Sequence, residues 1–410
     1  MLGRYFEELA AGLEAKLKQG DQEIIAKKNM ALQTARLGAR LYRHAGPIAW
    51  CGVATPFELM HALGVTSCFV EFVGAMLASS GAVGDALDAG EAAGLPSDLC
   101  SYHRAVQGAA LLGWMPEPDF LVATSSPCSG GVATIEMLAR RYGKELFVLH
   151  LPGRSDGEAV HYLAQQLAQL AEHVGSRLAR PLQQSTLQQV LERADRASAL
   201  LGEAFRLCRT VPTPARRNDM ANLAFLMALL SGTEEGLQLA TLYRDELARK
   251  VRDGVGGIAG ERVRLAWFQN RIQFRSPLEQ LLEEELGAAI VLDELNEVDW
   301  EPIAVQDFFT GLARKMLANP LSMPLSARID RLARLAGEYR VDGVIAPCHW
   351  GCRQGTGARG LLTEGLRRAG FPVLNLEVDC IDPRPFSAGQ LRTRLQAFVE
   401  MLAARRGRES

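Results

Sequence analysis

The eight cysteines are the residues of this chain best suited to chemistry. Thiolate is the form that binds metal, and a helix N-terminus stabilises it. Two segments offer that setting, and a third pairs two cysteines. Pro96-Ser-Asp-Leu-Cys100-Ser-Tyr-His-Arg104 holds Cys100 in a loop ahead of a helical stretch. Ser125-Ser-Pro-Cys128-Ser-Gly-Gly131 reads as a strand end, a glycine-rich turn and a helix starting near Val132. Free N–H groups there suit an anion or the sulfides of a cluster. Pro347-Cys348-His349-Trp350-Gly351-Cys352-Arg353-Gln354 holds a Cys-x3-Cys pair around a histidine. Zinc is one reading of that pair, yet a structural zinc site needs four ligands, usually with a second close pair. Cys100 and Cys128 are single and 28 residues apart. Two buried thiols at a strand end are the plain alternative. Three thiolates from separate loops suit an iron–sulfur cluster with one iron open to substrate.

Those loops need strands and helices to hold them. Short apolar runs bounded by Gly, Pro or Ser predict strands at Pro47–Val53, Ser67–Phe72, Phe120–Thr124 and Leu146–Leu151. A second set follows at Val263–Phe268, Ala288–Leu292, Gly343–Pro347 and Val373–Val378. Helical patterns fill the gaps, and Gly389–Arg405 closes the chain as a helix. Strand–helix alternation implies parallel sheets covered on both faces. We expect N-terminal helices over 1–44, a first α/β domain over 45–156, a helical insert over 157–252 and a second α/β domain over 253–410. Ligands of such sheets sit beyond the carboxyl ends of the strands. Loops Cys51–Pro56, Ser125–Gly131, His349–Gly355 and Asp379–Pro385 fall there, and Cys51, Cys348 and Cys380 join the thiols beside them. Cys68 and Cys208 sit in element interiors and read as packing residues.

The 410 residues carry 45 Lys+Arg against 47 Asp+Glu, a net charge of −2 that calls for neither nucleic acid nor an anionic membrane. Eight cysteines are too sparse for a disulfide scaffold. No apolar run reaches the roughly 20 residues of a membrane span, and no signal-peptide core follows the N-terminus. We therefore expect a cytoplasmic protein with reduced thiols. Neither GxxxxGK[ST] nor GxSxG occurs, and the glycines of Gly254–Gly260 precede a strand instead of following one. No ATP or NAD site is expected in this chain. His61, His103, His150, His161 and His173 lack metal spacing and read as structural or solvent-facing.

The chain resembles the 2-hydroxyacyl-CoA dehydratase family, which also contains subunits of ATP-dependent benzoyl-CoA reductase. The resemblance spans roughly residues 40–405. It rests on TPFELMHALG at Thr55–Gly64, PSDLCSYHR around Cys100, Cys128 with Ser129-Gly130, VDGVIAPCHWGCRQ at Val341–Gln354, and the stretch Phe371–Leu402. It implies two Rossmann-like or flavodoxin-like α/β domains with a [4Fe-4S] cluster in the cleft between them. By position Cys100, Cys128 and Cys352 are the implied ligands, with Cys348 as runner-up. Cys51, Cys348 and Cys380 are extra thiols that would also suit a double-cubane cluster. The implied activity is removal of water from an (R)-2-hydroxyacyl-CoA through a ketyl radical, giving a 2-enoyl-CoA; aryl-CoA reduction is the alternative. The implied partners are a homologous second subunit or a second copy, a separate ATP-hydrolysing iron–sulfur activator, and the acyl-CoA. Under this reading Ser129, Gly130 and Gly131 supply N–H groups to the sulfides, and Glu58 or His349 faces the cleft. Arg353 and Arg384 are candidates for CoA phosphates, since guanidinium suits bidentate phosphate contact. A helix-surface carboxylate is the alternative for Glu58, and a structural ion pair for each arginine.

Overall fold

The computed structural model describes residues 2–18, 25–220, 223–296 and 301–409. Helices α1 (Leu2–Lys18) and α2 (Ile25–Arg43) pack on each other around Ala10, Leu32 and Ala35. Positions 1 and 19–24 of the expected N-terminal helical segment lie outside the described residues.

The first sheet is built from β1 (Ile48–Cys51), β2 (Thr66–Phe69), β3 (Phe120–Thr124) and β4 (Glu145–Leu149). Helix α3 (Phe57–Ala62) links β1 to β2. Helices α4 (Val70–Ser80), α5 (Val83–Ala92) and α6 (Ser101–Leu111) lead to β3, and α7 (Ser129–Tyr142) leads to β4. All pairings are parallel, in the order β2-β1-β3-β4. Five helices follow: α8 (Gly157–Arg177), α9 (Gln184–Leu207), α10 (Arg217–Met220), α11 (Leu223–Leu229) and α12 (Glu234–Arg252). The Asp156 carboxylate accepts from Ala159 N at 2.9 Å to cap α8, and Thr233 Oγ1 accepts from Gly236 N at 3.0 Å to cap α12.

The second sheet holds β5 (Val263–Trp267), β6 (Ala288–Asp293), β7 (Gly343–His349) and β8 (Val373–Val378). Helices α13 (Phe308–Leu317) and α14 (Leu325–Glu338) separate β6 from β7, α15 (Arg353–Arg368) follows β7, and α16 (Ala388–Glu409) closes the chain. Its order, β6-β5-β7-β8, repeats that of the first sheet, again all parallel. The chain is thus an α/β protein of two four-stranded parallel sheets. This order gives each sheet a topological switch point, between β1 and β3 and between β5 and β7. Cys128 follows β3 and Cys352 follows β7.

Every residue of β1, β3, β5 and β7 is buried, as strands covered on both faces require. Arg264 in β5 is the exception in chemistry, not in burial. Its guanidinium pairs with Glu261 and donates to the carbonyls of Tyr339, Thr210 and Cys208. Pro347 fits within β7 because β5 pairs no further than Ile345, so Pro347 lies beyond the ladder on that side.

Strand ends shift by one or two residues from expectation, as at β4 and β7, and two further differences bear on the site. The run Ser67–Phe72 is not all strand: β2 stops at Phe69, and Val70–Phe72 begin α4. Its bulky apolar residues suit either state, and burial of Val70, Phe72 and Ala75 on one helix decides. The helix after Cys128 starts at Ser129, not Val132. A side chain on Gly130 would stand 3.2 Å from the His103 ring, so glycine permits a close approach there at some cost in helix propensity.

The core of the second sheet also takes in side chains from the first half. Ala75 and Ala78 of α4, Val83 and Leu87 of α5, and Cys100, Tyr102 and Ala105 cluster with Val263, Leu265, Trp267 and Ile345. Position along the chain therefore does not fix which sheet these helices pack against.

Candidate metal centre

Cys100, Cys128 and Cys352 are the N-cap residues of α6, α7 and α15. All three line one cavity, together with Gly52, Thr124, Gln269 and His349 from the strand ends of both sheets. Backbone donors face each sulfur. Gly355 N donates to Cys352 Sγ at 3.4 Å. The N–H groups of Gly131 and Gly130 pull the Cys128 thiol down while burial, the larger effect, pushes it up. Burial likewise pushes Cys100 up, against the N–H groups of His103 and Tyr102. Cys100 and Cys128 are thus hard to ionise without a cation and well placed to be thiolates with one.

His349 completes this shell. Cys380 N donates to His349 Nδ1 at 3.0 Å, so the ring proton sits on Nε2, which lies 3.4 Å from Cys100 Sγ. Burial depresses the imidazole to about 4, outweighing the upward pull of Asp379. A neutral ring donating N–H to the Cys100 sulfur is the result. Tyr102 packs edge-on to it, with centroids 5.4 Å apart.

The two halves lock together at this point. Gly351, at φ +74°, sits directly on the Cys100 backbone, where an added Cβ would lie 2.7 Å from both Cys100 Cα and the Leu99 carbonyl carbon. Ser101 Oγ donates to Asp379 Oδ1 at 2.6 Å, and the same oxygen accepts from Ile381 N and Asp382 N, each at 2.8 Å.

The donor set fits an iron–sulfur cluster. Three thiols converge from three helix starts, and the cavity wall carries buried polar atoms with no protein partner: Glu71 Oε2, His103 Nδ1 and Gln269 Nε2. Among the described residues no three His, Cys, Asp or Glu side chains stand close enough to share a single metal ion. The zinc reading of the Cys348–Cys352 pair finds no ligand set there.

The remaining expected residues fall in different places. Ser129, Gly130 and Gly131 form the first turn of α7 beneath Cys128. Cys51, Cys348 and Cys380 are buried and do not line the cavity; Cys380 meets its wall through an N–H on His349. Glu58 is not a helix-surface carboxylate. It is buried, pairs with Lys315, accepts from Ser231 Oγ at 2.6 Å, and faces an adjoining cavity. Arg353 is exposed at the first position of α15. For Arg384 the structure favours the ion pair over the phosphate contact. Its guanidinium is bound by Asp382 and Glu91 at 2.6 Å each and by Asp88 at 2.8 Å.

His103 and Glu71 emerge only here, with His103 Nε2 3.6 Å from Glu71 Oε1 on the cavity wall. His103 lies three residues after Cys100, the spacing that puts two residues on one helix face, and that spacing is a signal the sequence does carry. Glu71 and Gln269 carry no such signal; the fold alone brings them in. No helix among the described residues is long and apolar enough to cross a membrane.

Known proteins agree with this picture at the level of family. The profile of the family described as "2-hydroxyglutaryl-CoA dehydratase, D-component" matches residues 52–402. The (R)-phenyllactyl-CoA dehydratase alpha subunit of Clostridium sporogenes is 22% identical over 376 residues, covering 88% of this chain and 91% of its own length. A benzoyl-CoA reductase subunit of Thauera aromatica is 23% identical over 350 residues, 77% of this chain and 79% of its own. The lactoyl-CoA dehydratase subunit alpha of Anaerotignum propionicum is 21% identical over 388 residues, 87% and 91%. On the extent of the profile match, the chain belongs to the 2-hydroxyglutaryl-CoA dehydratase D-component family.

Proposed function

We propose that this chain is the iron–sulfur subunit of an ATP-activated, cytoplasmic (R)-2-hydroxyacyl-CoA dehydratase. The carrying observation is the convergence of Cys100, Cys128 and Cys352, each a helix N-cap, on one cavity walled by unpartnered polar atoms. These three would hold a [4Fe-4S] cluster. Bound there, such a cluster supplies one-electron chemistry and an iron without a protein thiolate. The protein's own part is to seal and orient. His349 Nε2–H and the N–H groups of Gly130, Gly131 and Gly355 steady the sulfurs, and burial excludes water. The Glu71–His103 pair stands on the cavity wall, where it can hold a proton. The names of the relatives support a partner subunit, since each is itself one subunit of a larger enzyme. A separate ATP-hydrolysing activator belongs to the same reading.

Iron and sulfide analysis after anaerobic purification tests the site. Cys100→Ala, Cys128→Ala and Cys352→Ala should each lose most of the iron, whereas Cys348→Ala should keep it. Full iron in all three would sink the ligand assignment. A second reading, an aryl-CoA reductase subunit, is favoured by the match to the benzoyl-CoA reductase of Thauera aromatica. Offering a 2-hydroxyacyl-CoA and benzoyl-CoA to the activated complex separates the two; turnover of benzoyl-CoA alone would replace the first reading.

A further inference from the structure

The cysteine cavity adjoins a larger one, and the two share Val53, Phe225, Leu295 and Leu321 in their walls. We propose that this second cavity takes the acyl group of a coenzyme A thioester, and that the acyl group is apolar and uncharged. The inference rests on the acyl-CoA reading above and narrows it to a substrate class.

The walls favour hydrocarbon. Small and apolar side chains from α9 (Ala194, Ala197, Leu201) and α11 (Leu223, Phe225, Met227) form much of the lining. The charged residues among the described lining are Glu58, Glu294 and Lys315, and each is already matched. Lys315 is bound to Glu58, which also accepts from Ser231. Glu294 accepts from Arg328 Nε at 2.6 Å and Nη2 at 2.8 Å, and from Gln269 N at 3.0 Å. An acyl chain ending in carboxylate would meet two carboxylates and one ammonium that is already engaged. Burying such a charge without a partner is strongly unfavourable. Each buried methylene, by contrast, strengthens binding about fourfold.

The test is anaerobic calorimetry on the cluster-loaded protein, with the subunit that accompanies it in purification. Acetyl-CoA, hexanoyl-CoA and glutaryl-CoA all lack the 2-hydroxyl and are not dehydrated. Hexanoyl-CoA should bind at least tenfold tighter than either of the others. Ser198→Phe on α9 and Ala224→Phe on α11 put bulk into the cavity from half-buried positions. Each should weaken hexanoyl-CoA about tenfold, leave acetyl-CoA within twofold and retain iron. Glutaryl-CoA binding as tightly as hexanoyl-CoA would overturn the inference, as would unchanged hexanoyl-CoA affinity in both variants. The chain-length series on the unaltered protein needs no variant to fold. Failure of all three thioesters to bind would overturn the acyl-CoA reading itself, and this one with it.

Discussion

At position 351 the backbone adopts φ +74° and lies against the amide of Cys100. Two independent demands fall on one residue there: a left-handed conformation and no Cβ. Gly351→Ala should therefore cost about 2–3 kcal/mol by overpacking and strain, read as a lower urea midpoint, and should lose iron because the Cys100 and Cys352 loops are pushed apart. Wild-type iron content and midpoint would refute the contact. Glu58 makes a different kind of statement. Burial raises its carboxyl, but the Lys315 charge and the hydrogen bonds from Lys315 and Ser231 outweigh burial and hold it below the ordinary range. A folded-state pKa below the unfolded one adds stability above the unfolded value, near 4.3, and that stability vanishes as pH falls through the folded value. Glu58→Gln should be less stable than wild type by about 2 kcal/mol at pH 7, with the gap closing below about pH 5. Urea midpoints across that range check it; a gap independent of pH would contradict the pairing.

Among the elements, helices α6, α7 and α15 matter most, because all three begin at a cysteine. Each helix start carries roughly half a positive elementary charge and unpaired N–H groups, so three together favour an anionic sulfur cage. Holding α6 in place is the task of the loop after β8. Asp379 there accepts from Ser101 Oγ and from two backbone N–H groups. Asp379→Ala leaves those buried donors without an acceptor and should destabilise by about 3 kcal/mol, with Asp379→Asn recovering part of it. Equal urea midpoints for the alanine and asparagine variants would show that no such network operates. The eight strands were legible because buried parallel strands are near-continuous apolar runs with Gly or Pro at their ends, as in β3 and β6. The N-cap role of Cys100 was half legible, from the loop-then-helix pattern of its segment. Docking of α4–α6 on the second sheet was not, since Ala75, Val83 and Leu87 would serve equally well against either sheet. The binding of Arg384 by Glu91 and Asp88 was invisible for the same reason: those partners lie 293 and 296 residues away.

Over the whole molecule, two sheets of identical strand order face one cavity with the carboxyl ends of their strands. A cluster held by Cys100, Cys128 and Cys352 would tie loops of both sheets to one object, and binding to the folded state alone raises stability by mass action. Removing iron with a chelator under anaerobic conditions should lower Tm by several degrees and speed proteolysis in the loops after β7 and β8. Identical melting with and without iron would count against a shared site. The second core carries a further consequence. Because α4–α6 pack against both sheets, with Phe72, Ala86 and Val106 in the first core and Ala75, Val83 and Tyr102 in the second, the repeated sheets are not interchangeable modules. Cutting the chain at the glycine-rich linker near Gly254 would leave the first piece with Ala75, Val83, Leu87 and Tyr102 bare to water and the second with a gap in its core. The two halves can diverge in their loops, but neither can complete its core without the other.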